Sequence, residues 1–382
     1  MKQPFFSIII PTKNRPGLLR DAISSILLQD FDDYELIVSD DFNDERTVNV
    51  VNEFKGNKHL NYFRTDKELN MPDHWEFATE KAKGIYILIL TNRSFLRQGS
   101  LRDIYNSISE SKKDVPVCFW DFGHYDEKSK ILFGEKERTG IEFLKSKDLI
   151  KGFSQTLDAR RFLPKPCNGC YKRDFAQKIK QKIGRLYLPA YPDYTSPLLF
   201  LAYSDFVMHI PRTLFFFQGA SVGNTLKLYT PTLDIKDLYQ FVPINAAVNA
   251  SNIFNDLLAI RNLADGNLKY FNIDWVFYFV SCYQELRAKM MIPRADKKIQ
   301  LELLEEWKKA LSNFDKKTQA EVWRKIRWRY KNILKAYLRA RFLGDFLARI
   351  KRFLLRKPTL KYQNALAAGG FKAPYNLKIY KN

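Results

Sequence analysis

Two polar tips stand at the ends of two short apolar runs near the start of the chain. Asp40 and Asp41 follow the run of residues 34–39, and Thr12-Lys13-Asn14-Arg15 follow residues 5–10 and Pro11. Carboxylates at a strand end can accept from the imide N–H of uracil or thymine, or from ribose hydroxyls. The same pair can instead cap the next helix or turn. On residue type alone, capping is favoured.

The surrounding elements decide whether the two tips meet. Residues 5–10 (FFSIII) read as a buried strand, which Pro11 is expected to end because it cannot donate to a ladder. Asn14 fits an N-cap, with Pro16 in the first helical turn. Residues 34–39 read as a second buried strand. Strand–helix–strand order implies parallel strands and a crossover helix, and such sheets bind ligands beyond their carboxyl ends. Both tips are therefore expected in one crevice. The pattern continues with a helix over 45–54, a strand over 60–63 and a helix over 72–83 that Gly84 is expected to stop. Residues 85–90 (IYILIL) form a continuous apolar run of strand length. Alternating strands and helices predict an α/β nucleotide-binding half.

The segments SIIIPTKNR and ELIVSDDFND, with a helix ending in LLQ between them, resemble the start of family 2 glycosyltransferases of GT-A fold. Asn70, Trp75 and the run Ala82-x-Gly84-x-Tyr86-Ile87 extend the likeness. It is specific over about the first ninety residues and weaker to about residue 225. With PTKNR in register upstream, nucleotide binding is favoured over capping for Asp40 and Asp41. The resemblance assigns base recognition to Asp40, and implies that Pro11, Thr12 and Arg15 line the donor site.

One position departs from the family. An Asp-x-Asp normally follows the strand equivalent to residues 85–90, and its acids hold a divalent cation that bridges the donor diphosphate. Mg²⁺ or Mn²⁺ wants oxygen ligands. Here Thr91-Asn92-Arg93 stand at that place, so no metal ligand is assigned, although a divalent cation is usual in the family. Two accounts compete with an ordinary surface arginine. In the preferred one, Asn92 and Arg93 belong to the donor site and the guanidinium neutralises the diphosphate directly. In the other, donor chemistry is lost and the chain survives as a nucleotide-sugar-binding or membrane-associated scaffold.

Tyr191-Pro192-Asp193-Tyr194, ahead of an apolar helix, resembles the place where these enzymes present their general base. An inverting transfer needs such a carboxylate to take the acceptor hydroxyl's proton. Asp193 could equally cap the helix over 195–203. The loop Ser221-Val222-Gly223-Asn224 is a weaker candidate for reaching phosphates. Cys167-Asn168-Gly169-Cys170 lacks the further ligands of a zinc site and reads as a turn with structural cysteines. No histidine is assigned. Residues 115–119 suit a strand, 121–128 a turn-rich connection, and 206–217 a strand pair around Pro211.

Composition sets the frame. The chain has 382 residues, 46% of them hydrophobic and 15% aromatic, and a net charge of +21. That is enough for a large core and argues against global disorder. The charge suggests a polyanionic partner. Four cysteines make no disulfide framework, which fits a reducing compartment. No apolar run approaches the roughly 20 residues that span a bilayer.

Residues 1–225 are expected to form the GT-A-like domain, and 226–382 a mainly helical, basic region. Leu301, Leu304, Trp307 and Leu311 fall on one helix face. Residues 321–360 hold thirteen Lys and Arg against Glu321 and Asp345. Apolar positions recur there at helical spacing, so an amphipathic helix is expected over about 318–357, stopped by Pro358. Its pattern suits an anionic membrane surface. It also suits a helix packed on the core with solvated charge. No motif supports nucleic acid. The resemblance implies a nucleotide-sugar donor, a glycan or lipid-linked acceptor and bacterial surface polysaccharide or lipopolysaccharide synthesis, on the inner, cytoplasmic face of the membrane.

Overall fold

The computed structural model describes residues 3–42, 45–126, 131–134, 137–155, 163–188, 192–218, 241–244, 249–264, 267–270, 272–290, 297–329, 331 and 360–361. The boundary expected near residue 225, the loop 221–224 and most of the helix expected over 318–357 lie outside them.

Among the described residues a mixed eleven-stranded sheet organises the fold. Its first half is β1 (Phe6–Thr12), β2 (Tyr34–Asp40), β3 (Leu60–Arg64) and β4 (Tyr86–Ile89). These pair in parallel in the order β4-β1-β2-β3. Three helices connect them: α1 (Pro16–Leu27), α2 (Glu45–Asn52) and α3 (Met71–Glu80). Strands covered on both faces are apolar throughout rather than alternating. Thus Phe6, Ile8 and Ile10 pack with Leu19, Ala22 and Ile26 of α1 on one side. Ile9 and Ile37 pack with Trp75 and Ala78 of α3 on the other.

Three expectations in this half are corrected. Pro11 does not end β1; it lies opposite Ser39 inside the strand, and Thr12 lies opposite Asp40. Ile9 accepts from Leu90 N and Thr12 from Asp41 N, so odd positions of β1 face β4 and even ones face β2. Pro11 therefore faces the β4 side, where the ladder has stopped at Ile9–Ile89, and its missing N–H costs no ladder bond. Asn14 is not the N-cap. Arg15 holds that position without a side-chain cap bond, and Asn14 turns the chain at φ 54°. Gly84 does not stop α3, which is capped by Lys81. It allows close approach instead: a Cβ there would sit 2.5 Å from Ser7 N, and Gly84 N donates to Ser7 Oγ at 2.7 Å.

The second half adds β5 (Ser94–Leu96), α4 (Ser100–Ser109), β6 (Val117–Asp126), β7 (Ile131–Gly134), β8 (Glu142–Lys145) and α5 (Ser146–Gln155). After these come β9 (Gly169–Lys172), α6 (Arg173–Ile183), α7 (Pro192–Tyr203) and β10 (Phe206–Gln218). β9 joins β4 to β6 with antiparallel pairing on both sides. Residues 121–126 continue β6 rather than forming a turn-rich connection, because β10 pairs with β6 in parallel from Met208–Cys118 to Gln218–Tyr125. β10 is likewise one strand and not two. Pro211 sits at a register shift between Ile210 and Thr213, where a missing donor is tolerated.

Helices α8 (Asn249–Leu263), α9 (Trp275–Met290), α10 (Lys297–Ser312) and α11 (316–329) follow, and a short β11 (Leu360–Lys361) pairs with β7. One apolar cluster runs from Ile9 through α7 to Trp307, Val322 and Ile326. Trp307 anchors it: its indole donates to Phe279 O at 2.9 Å, and its ring meets Phe279, Tyr283 and Trp323. Leu304, Trp307 and Leu311 are buried as their spacing predicts, but Leu301 is 53% exposed, one turn beyond the covered stripe. Among the described residues no helix is long and apolar enough to cross a membrane.

Candidate active site

β1 and β2 stay paired to Thr12 and Asp40, beyond the point where β4 leaves β1. The step leaves the carboxyl-end tips of β1 and β2 without β4 beside them, where a crevice is expected. Two residues past each paired tip the backbone enters the left-handed region, at Asn14 (φ 54°) and Phe42 (φ 42°). Asn tolerates that conformation and Phe does so only at a cost, so strain is concentrated at the crevice rim.

The two carboxylates of the β2 tip have different surroundings. Asp40 is fully buried, and its Oδ2 accepts from Tyr62 OH at 2.8 Å and Arg64 Nε at 3.3 Å. Burial first, then the bond to Asp40, pushes the Tyr62 phenol well up. Asp41 accepts from Leu69 N at 2.8 Å and meets Lys13 Nζ at 2.8 Å. Lys13 also pairs with Glu68 at 2.6 Å. Burial works against the Lys13 charge, but Asp41 and Glu68 outweigh it and raise its pKa. Beneath them His74 binds Ser39 Oγ at 2.9 Å. Burial drives its pKa down to about 4, with Lys13 adding to the shift and Asp41 opposing it. Asp41 and Lys13 thus brace the segment through Leu69 that leads into α3.

The turn after β4 carries the cationic wall. Thr91 Oγ1 and Ser94 Oγ lie 2.7 Å apart, and Ser94 N donates to Thr91 O at 2.9 Å. Asn92 Nδ2 donates to Thr12 Oγ1 at 3.1 Å, with both side chains buried. Arg93 lies over the Phe217 ring, 5.3 Å from its centroid. Arg15 comes from the β1 side, where burial and then the Arg93 charge push its guanidinium down. His124 is also pushed down, by burial and then by Arg93. The residues at the β4 tip do not fit a divalent cation: the turn offers no carboxylate and carries a guanidinium. Among the described residues no three His, Cys, Asp or Glu side chains gather to hold a metal.

Asp193 stands on the α7 side. α7 begins at Pro192, so Asp193 lies inside the first turn and does not cap it, where its charge suits the helix N-terminus. Its Oδ2 is 3.5 Å from Lys165 Nζ, which sits 3.6 Å from the Tyr194 ring centroid. The buried Cys167 thiol feels these charges together. Burial, then Asp193, raises its pKa to about 12, while Lys165 and Arg93 oppose. Cys167 and Cys170 are buried and free, and a 3-10 turn over Pro166–Asn168 leads into β9.

Tyr62, Arg64, Lys165 and Phe217 were not anticipated. Tyr62 and Arg64 share a face of β3 with period two, a signal the sequence carried. Lys165 and Phe217 reach the crevice from distant elements, and no local spacing marks them.

Residues 7–162 match the family model for glycosyl transferase family 2. A Campylobacter jejuni relative, GalNAc(5)-diNAcBac-PP-undecaprenol beta-1,3-glucosyltransferase, is 34% identical over 114 residues, 29% of this chain and 37% of that protein. The Staphylococcus aureus poly(ribitol-phosphate) beta-N-acetylglucosaminyltransferase TarS is 25% identical over 113 residues, 29% of this chain and 20% of TarS. The matched part thus spans well under half of these curated relatives. The crystal structure of S. aureus TarS 1–349 in complex with UDP-GlcNAc is similar with a TM-score of 0.51 and 13% identity, covering 88% of this chain and 92% of that one. At that identity the likeness concerns the fold, which is GT-A-like with a helical C-terminal region.

Proposed function

We propose, taking as premise the glycosyl transferase family 2 domain that residues 7–162 carry, that this chain moves a sugar with inversion from a nucleotide-sugar donor to a glycan or lipid-linked acceptor. Surface polysaccharide or lipopolysaccharide assembly is the setting. One observation carries the reading. The tips of parallel β1 and β2, with Asp40 and Asp41, are tied by the Asn92–Thr12 bond to the turn that carries Arg93, and Arg93 and Asp193 both act on the buried Cys167 thiol.

In this reading Asp40 and Asp41, with Pro11 and Thr12, form the nucleoside wall. Arg93 and Arg15 take the diphosphate, with Asn92 fixing the turn that presents Arg93. A fixed guanidinium stabilises the charge that develops on the departing diphosphate. Asp193 takes the proton of the attacking hydroxyl. The family often uses a divalent cation for the diphosphate, and here the arginines stand in that role.

The names of the relatives support the substrate classes: one acts on a PP-undecaprenol-linked glycan, and another was solved with UDP-GlcNAc. A peripheral site on the cytoplasmic membrane face fits such an acceptor. On α11 the exposed Trp328 stands among exposed Arg324, Arg327 and Arg329, a pattern suited to anionic lipid. Replacing Trp328 by Ala and the three arginines by Glu is expected to release the protein from phosphatidylserine vesicles; unchanged sedimentation would remove the membrane reading.

The test is nucleotide release across a panel of UDP- and GDP-sugars, with and without EDTA. Turnover that survives EDTA and falls about 100-fold in Arg93→Ala supports the reading. Loss of turnover in EDTA overturns the arginine assignment. The missing acids after β4 favour a second reading, a degenerate binding protein. It would be indicated by UDP binding without turnover of any donor.

A further inference from the structure

We propose that Lys165 is a positioning residue that holds the Asp193 carboxylate toward the crevice. The proposal deepens the reading above and rests on Asp193 being the base.

Lys165 is not an ordinary surface lysine. Its side chain is only 20% exposed. Two neighbouring residues of one helical turn hold it, the carboxylate of Asp193 at 3.5 Å and the ring of Tyr194 at 3.6 Å. The ring faces the ammonium and supplies a cation–π contact, so the cation stays in place when the carboxylate moves. Its backbone is fixed as well. Lys165 N donates to Leu163 O at 2.8 Å, and Asn168 N donates to Lys165 O at 3.0 Å. Pro166 follows directly and opens the 3-10 turn. Burial opposes the ammonium's charge, but Asp193 and Tyr194 outweigh it and raise its pKa, so it is charged at neutral pH.

This geometry has a chemical use. A carboxylate in the first turn of a helix has several open rotamers. A base must instead point at the hydroxyl it deprotonates, and small misplacements cost rate rather than affinity. Lys165 favours one rotamer by pairing with Oδ2. The other oxygen, Oδ1, is then the one available to an acceptor. Lys165 and Arg93 both lower the pKa of the buried Cys167 thiol, which burial and Asp193 raise.

The experiment measures UDP release from UDP-GlcNAc and UDP-glucose, UDP affinity by calorimetry, and melting temperature. Wild type, Lys165→Met, Lys165→Arg and Asp193→Asn are compared. Lys165→Met is expected to lower kcat about 100-fold while UDP affinity stays within about threefold and melting is little changed. Lys165→Arg, which keeps the charge and can still stack on Tyr194, is expected to restore most of kcat. Wild-type kcat in Lys165→Met overturns the proposal. So does a fall in UDP affinity that matches the fall in kcat, because Lys165 would then be a phosphate ligand. Asp193→Asn separates the two levels: if it keeps wild-type turnover, the base assignment itself fails, whatever Lys165 does.

Discussion

Asn92 donates to the hydroxyl of Thr12 at 3.1 Å across the gap where β4 has parted from β1. This buried bond ties the turn bearing Arg93 to the tip bearing Arg15, so two like charges are held on one wall despite their repulsion. Asn92→Leu should leave the Thr12 hydroxyl buried without its donor. The expected loss is about 1–3 kcal/mol of unfolding free energy, read by urea denaturation. UDP affinity should fall with it as the turn loosens. Unchanged stability and affinity would show that the turn is held by other contacts.

Gly84 makes a sharper prediction. A methyl group there would lie 2.5 Å from Ser7 N and 2.7 Å from Phe6 C, and both are backbone atoms of a central strand that cannot step aside. Gly84→Ala is expected to cost about 3 kcal/mol or more. The change should appear as a lower denaturation midpoint, without a selective effect on nucleotide affinity. A midpoint equal to wild type would mean that β1 and the segment before β4 can separate locally.

His74 gives the pH dependence a sign. Its pKa is about 4 in the fold against 6.5 in the open chain. Above pH 6.5 both states leave it neutral, and it contributes no pH slope. Between pH 6.5 and 4 only the unfolded chain takes the proton, so stability falls as the pH falls. The total is on the order of 3 kcal/mol. His74→Gln keeps a partner for Ser39 and should flatten the slope over that window. An unchanged slope would assign the acid sensitivity to other groups.

The N-terminal wall was legible because its strands are parallel and covered on both faces. Such strands appear as unbroken runs of Ile, Val and Leu, which place the strands, although β1 continues two residues past the end of its run at Ile10. The runs place Thr12, Arg15, Asp40 and Asp41 at or just past the strand ends, and it is the family resemblance that makes them donor-site candidates. The other wall was not legible. Phe217 meets Arg93 because β10 pairs antiparallel with β5, which sets Phe217 opposite Ser94 from far along the chain. Lys165 meets Asp193 across a turn, a strand and a helix. Local rules also erred where tertiary neighbours decide the cost. Proline breaks a ladder only if its N–H side has a partner, and which side β4 vacates is not visible in the residues around Pro11. The same holds for Leu301, whose periodicity matches a face that the described residues leave exposed.

Pro11 also bears on how permanent the opening is. A nitrogen that carries no proton cannot be recruited by a neighbouring chain. β4 therefore lacks one of the bonds that further pairing along β1 would need at this step, and a foreign segment would lack the same bond. Covalent structure thus biases the sheet toward staying open at this step. A donor arriving there would have no strand pairing to undo, and its binding energy would remain available for orientation and chemistry.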